Sequence, residues 1–172
     1  MISLEPLDPK FKNTCDNLFR NCLKQGCTVL PFYGVRDVKT QAALWRQSRP
    51  VDEIMITIHR LKREGAPFLA SIMEVVGPQE GRWATNCLPG QSWHQWGLAV
   101  DCYVVGENGK SVWSSKHPSY RIYADEAQKL GLTSGYYWTR QDAVHVQAVA
   151  EGVRAVYTWP EIDRAMKEKF GG

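Results

Sequence analysis

One carboxylate stands where the chain can least tolerate an unpaired charge. The run Gly97-Leu98-Ala99-Val100-Asp101-Cys102-Tyr103-Val104-Val105 has the β-branched and aromatic bias of a strand. Side chains alternate faces along a strand, so Ala99, Asp101 and Tyr103 share one side while Leu98, Val100 and Cys102 take the other. Asp101 is therefore a carboxylate in an otherwise apolar strand, with a small residue beside it. A buried carboxylate requires a partner or a metal ion. His94 lies just upstream in Ser92-Trp93-His94-Gln95-Trp96, read as a loop, and Gly97 lets the backbone turn so that His94 faces the same spot.

A second polar cluster is Arg140-Gln141-Asp142-Ala143-Val144-His145-Val146-Gln147. Residues 143–149 alternate like a strand, with His145 and Gln147 on one face. Asp142 precedes His145 by three and would point the opposite way in a regular strand, so it is predicted in the turn at the strand's start. Two imidazoles and one carboxylate are a common catalytic zinc set that leaves a fourth position for water. A second carboxylate off the metal can carry the proton of that water, and Asp142 is the natural candidate. Arg36, in Tyr33-Gly34-Val35-Arg36, is the cation that could reach a developing oxyanion. Each residue has a plainer reading. His94 and His145 could be a hydrogen-bonded core pair, Asp101 half of an ion pair, Asp142 a turn residue, and Arg36 a surface partner of Asp37.

The rest of the chain reads as a mixed fold. Phe11, Cys15, Leu18, Phe19, Cys22 and Leu23 fall on one helical stripe that Gly26 ends. Residues 28–33 form an extended run interrupted by Pro31, which suits a sheet edge. Asp37 is placed to cap a helix carrying Ala42, Leu44 and Trp45. Asp52 is read as the cap of another, with Ile54, Ile58 and Leu61 inward and Gly65 at its end. Pro67 opens a third helix with Leu69, Ile72, Met73 and Val76, closed by Gly77. Residues 77–93 are polar and rich in Gly and Pro, predicting a long ordered loop, and 107–110 form a turn. Tyr120, Tyr123, Ala127 and Leu130 suggest a helix ending at Gly131, and residues 160–170 a final one. Helices and strands mix without a βαβ rhythm, so the expected class is α+β.

At 172 residues the chain is expected to be a single domain, 1–172. Its 21 basic and 18 acidic residues are scattered without a basic block, so a nucleic-acid partner is not suggested. Five cysteines, an odd number with no CxxC pair, point to reduced thiols. No stretch is long enough to span a bilayer, so no stable membrane insertion is expected. The N-terminal residues have neither the basic start nor the apolar core of a signal peptide, which implies cytoplasmic synthesis. His59 and His117 are read as bystanders, Cys87 as a small buried residue, and Cys102 as facing away from the site. Trp93, Trp96, Tyr136, Tyr137 and Trp138 flank the two histidine segments, mostly as packing, with one or two lining a substrate groove.

Ser92-x-His94-x-x-Gly97-x-Ala99-x-Asp101, with Asp142-x-x-His145 downstream, resembles the zinc D-Ala-D-Ala carboxypeptidase and L-alanyl-D-glutamate endopeptidase family, a VanY-like group with the hedgehog/DD-peptidase fold. Gly34-Val35-Arg36, followed by Gln41 and Leu44, is similar to the family's Gly-x-Arg…Gln…Leu segment. The resemblance runs from about residue 33 to 147. It implies a small central antiparallel sheet flanked by helices. It implies Zn2+ held by His94, Asp101 and His145, with Asp142 as general base and Arg36 steadying the transition state. Ser92, Gln147, Gln41 and Trp138 follow as supporting or substrate-contacting residues. The base position often holds Glu, and the shorter Asp142 is a variant that the endopeptidase branch tolerates. The segment between Arg49 and Asn86 is longer than in the shortest members. The implied function is hydrolysis of a peptidoglycan stem-peptide bond, with L-Ala-D-Glu favoured, as in phage-type lysins (endolysins). D-Ala-D-Ala cleavage and a non-catalytic zinc-stabilised binding domain are the alternatives. A wall substrate without a visible export signal implies release by a holin-type permeabilising partner or delivery by secretion machinery.

Overall fold

A computed structural model describes residue 4 and residues 6–172 of the chain. In chain order its elements are helix α1 (Pro9–Lys24), strand β1 (Val29–Tyr33), helices α2 (Val38–Arg46), α3 (Val51–Arg63), α4 (Pro67–Val76) and α5 (Trp93–Trp96), strands β2 (Ala99–Val105) and β3 (Ser111–Val112), helix α6 (Pro118–Lys129), strand β4 (Thr133–Ser134), a 3-10 turn (Gly135–Tyr137), strand β5 (His145–Gln147), and helices α7 (Val153–Val156) and α8 (Trp159–Phe170). The class is α+β, with every strand pair antiparallel. The chain divides into two compact units, Met1–Val35 with Trp96–Ala150, and Arg36–Gln95 with Glu151–Gly172.

In the first unit β2 is the central strand. The order is β1-β2-β5-β4, and β3 joins β2 beyond the short β5. Val100, Cys102 and Val104 are fully buried and share a core with Phe11, Cys15, Leu18 and Cys22 of α1 and Tyr120, Tyr123 and Ala127 of α6. The alternation expected for this strand therefore holds, and its other face carries Asp101 and Tyr103. Pro31 is accommodated because β1 is an edge strand. All five cysteines are free, and four of them are buried.

The second unit is helical, and α4 lies at its centre, against α2, α3 and α8. Leu69, Ala70 and Met73 of α4 are fully buried. Helix ends leave unpaired backbone groups, and here neighbouring helices satisfy them. Asp163 of α8 accepts from the amides of Leu69 (2.8 Å) and Phe68 (3.3 Å) at the start of α4. Arg46 of α2 donates to the Met73 carbonyl near its end, at 2.5 Å. Both charges also complement the helix dipole. Arg49 fastens the long loop. Its guanidinium lies between the rings of Trp45 (4.0 Å) and Trp83 (3.7 Å) and donates to the carbonyls of Trp45 and Thr85.

Several expectations need correction. Leu23 is 62% exposed, because the buried stripe of α1 runs through Phe11, Cys15, Leu18 and Cys22 and leaves it on the flank. Pro50, not Asp52, occupies the N-cap of α3, and Asp52 lies in the first turn. The strand expected over 143–149 shortens to His145–Gln147, because the Asp142 carbonyl accepts from the His145 amide and forms a turn before it. His94 sits in the one-turn helix α5 rather than a loop. The short elements β3, β4 and α7 are too brief to show a period in sequence. No helix among the described residues is long and apolar enough to cross a membrane.

Replacing Asp163 by Ala removes both acceptors at the start of α4. That substitution should cost roughly 2 kcal/mol. Thermal unfolding followed by circular dichroism should show a clearly lowered Tm, whereas an unchanged Tm would contradict the capping role.

Candidate metal centre

Strand pairing builds the first half of the site. β2 and β5 run antiparallel with Asp101 directly opposite His145, so the carboxylate and the imidazole meet on one face. His145 Nδ1 lies 3.0 Å from Asp101 Oδ1. Its Nε2 lies 2.9 Å from Gln147 Oε1. The Gln147 amide donates to the Val149 carbonyl at 2.5 Å, which turns its oxygen toward the imidazole. That oxygen is an acceptor only, so Nε2 carries a proton and Nδ1 is the nitrogen presented to Asp101. The Trp138 ring lies 5.2 Å from the His145 ring and covers it. Burial by itself pushes the His145 pKa down, but the hydrogen bond and charge of Asp101, then Gln147 and the charge of Asp142, outweigh it and leave the pKa raised.

A buried amide network positions the second half. His94 is 3% exposed, in the single turn Trp93–Trp96. The next residue, Gln95, is fully buried. Its side-chain oxygen accepts from the amides of Gly90 (3.1 Å) and Ser92 (3.2 Å), and its nitrogen donates to Gln41 Oε1 at 3.1 Å. Gln41 in turn donates to the Cys87 carbonyl at 2.7 Å and accepts from Arg36 Nη1 at 3.0 Å. The Arg36 amide donates to the His94 carbonyl at 3.3 Å. One chain of amides thus holds the His94 turn against the start of α2. Gln95 was not singled out from the sequence. The available signal was a second polar side chain, beside His94, between the tryptophans of Trp93-His94-Gln95-Trp96.

Gly97 then redirects the chain into β2. Its φ is +75°, and a Cβ there would come within 3.1 Å of the Asp8 amide nitrogen. That amide donates to the Gly97 carbonyl. Any side chain would meet both the unfavourable backbone region and this contact.

His94, Asp101 and His145 each offer one ligand atom, and these atoms all lie within 4.8 Å of one another. Two imidazoles and a carboxylate, two of the three residues buried and the His145 ring oriented by Gln147, fit a zinc ion with an open position.

The remaining candidates are placed as follows. Asp142 is exposed in the turn before β5, with its amide bonded to the Gly135 carbonyl at 2.8 Å and its charge acting on His145. Gly135 permits this closure, since a Cβ on it would come within 2.5 Å of the Asp142 carbonyl oxygen. The Asp37 carboxylate is engaged in capping α2 through Thr40. Ser92 is half-buried and tied through its amide to Gln95. His59 is exposed on α3, and His117 caps α6 by accepting from the Ser119 amide. Cys102 is fully buried on the opposite face of β2. Burial raises the pKa of the Cys87 thiol.

Three comparisons bear on this chain. A family model described as VanY, D-alanyl-D-alanine carboxypeptidase, matches residues 5–150. No curated protein matches it significantly. Solved structures that resemble it include the L-Ala D-Glu endopeptidase ChiX of Serratia marcescens, at 17% identity and a TM-score of 0.43, covering 85% of this chain and 83% of that one. A second is the vancomycin-resistance D,D-pentapeptidase VanY of the VanB-type cassette, a point mutant in complex with Zn(II). It shows 18% identity and a TM-score of 0.48, over 91% of this chain and 83% of that one. A third is the L,D-carboxypeptidase DacB of Streptococcus pneumoniae, at 18% identity and a TM-score of 0.46, over 94% and 72%. On the strength of the family match over residues 5–150, the chain belongs to the VanY, D-alanyl-D-alanine carboxypeptidase, family of peptidases.

Proposed function

We propose that residues 1–172 act as one catalytic domain, a zinc peptidase that hydrolyses the L-Ala-D-Glu bond of the peptidoglycan stem peptide and so lyses the cell wall. The observation that carries this reading is the three-donor cluster with the Asp142 charge beside it. Zinc, when bound by His94, Asp101 and His145, supplies Lewis acidity to a carbonyl and to attacking water. Asp142, exposed and off the donor set, takes a proton from the water and returns it to the leaving amine. Arg36, oriented through Gln41, donates to the oxygen on which negative charge develops. Gln147 fixes the ring of His145, and Trp138 screens it from solvent. Ser92 and Gln41 support the His94 turn. A shorter aspartate in the base position suits the endopeptidase branch. Delivery to the wall by a permeabilising partner or a secretion machine belongs to the same reading.

The description of the family favours a second target, the terminal D-Ala-D-Ala bond. Mass spectrometry of muropeptides after incubation with the zinc-loaded protein separates the two. New N-terminal D-Glu ends are the expected product, and released D-Ala in their place would move the scissile bond to the end of the stem.

Asp142→Ala should keep stoichiometric zinc yet lose turnover on purified sacculi by about 10²–10⁴-fold. Digestion at the wild-type rate would remove Asp142 from proton transfer, whereas zinc-loaded wild-type protein that digests no sacculi would favour a zinc-stabilised binding domain. Arg36→Ala should lower kcat by about 10²-fold or more, with a smaller change in KM. A KM effect alone would make Arg36 a substrate anchor.

A further inference from the structure

The sheet face that carries Asp101 and His145 continues into an aromatic row that the chemistry above does not use. Tyr103 follows Asp101 by two residues on β2 and shares its face. Phe32 of β1 flanks Tyr103 on one side. Trp113, one residue past β3 on the opposite edge of β2, closes the group, its ring against those of both Tyr103 and Phe32. Ring centroids lie 4.9 Å apart for Phe32 and Trp113, 5.4 Å for Tyr103 and Trp113, and 6.3 Å for Phe32 and Tyr103.

Two features set this row apart from core packing. Trp113 is 56% exposed. Phe32 sits at a register shift, between Pro31 opposite Cys102 and Tyr33 opposite Asp101. Such bulges re-aim a side chain and are frequent beside active sites. An exposed tryptophan braced edge-on by Phe32 and tilted against Tyr103 presents an apolar ring ordered before anything binds.

We propose that Phe32, Tyr103 and Trp113 form a stacking subsite for the sugar ring of the muramyl residue that bears the stem peptide, resting on the peptidoglycan reading given above. The occupant follows from chemistry and reach. The stem peptide of the wall polymer is mostly small or charged, whereas its sugars present a face of C–H groups suited to an aromatic platform. The row is continuous with the donor face. Two residues along a strand span about 7 Å. A lactyl group plus one alanine, extended, also spans about 7 Å, whereas the D-Ala-D-Ala bond lies roughly 17 Å from the same sugar. A sugar seated on Tyr103 and Trp113 therefore brings the sugar-proximal L-Ala-D-Glu bond to the metal donors and carries the far end of the stem past them.

Two measurements on the zinc-loaded protein test this. The first is the ratio of kcat/KM for a muramyl-linked stem peptide over the same peptide acetylated at its N-terminus. The wild-type ratio should exceed one, Trp113→Ala should lower it about tenfold, and Trp113→Phe should retain most of it. An equal loss on both substrates would make the row merely structural and overturn the subsite. The second is titration with the N-acetylglucosaminyl-N-acetylmuramic acid disaccharide, read at the indole N–H resonance of Trp113. A saturable shift supports the subsite, and none up to tens of millimolar overturns it. Failure to cleave either peptide would sink the peptidase reading, and the titration alone would then decide the subsite.

Discussion

The contact between Asp101 and His145 is the constraint on which the site depends. A carboxylate in a strand whose other residues are apolar loses most of its hydration, and unpaired it would destabilise the sheet by several kcal/mol. The antiparallel register of β2 and β5 sets His145 directly across from it, 3.0 Å away. The same pairing that satisfies the charge brings two metal donors onto one face. The sheet register is thus at once a stability device and a site-building device.

The third donor needs a different device, because His94 lies outside the strands. A one-turn helix has little stability of its own. Here the buried amide of Gln95 accepts from two loop amides and reaches Gln41, while Arg36 binds both Gln41 and the His94 carbonyl. Gly97 then admits the close approach of the Asp8 backbone as the chain enters β2. Arg36 is in this way structurally coupled to a metal donor as well as a candidate for oxyanion binding.

Much of this was legible in the sequence, for definite physical reasons. The two-residue period of residues 97–105 showed which face Asp101 would take, and the three-residue offset of Asp142 from His145 excluded it from the strand. Capping chemistry placed Asp37 correctly, because its short side chain reaches back to the amide of Thr40. Asp52 misled because an acidic residue is as favourable in the first turn as at the cap. Elements of two to four residues left no periodic trace. Gln95 shows the deeper limit, since a buried glutamine looks in sequence like a surface one until its partner Gln41, 54 residues away, is brought alongside.

The zinc K-edge X-ray absorption spectrum of the purified, zinc-loaded protein tests the core of this account. One ion bound by two imidazoles and light oxygen donors, with one imidazole contribution lost in His145→Ala, is the predicted result. A spectrum with sulfur neighbours, or one unaltered by that substitution, would contradict it.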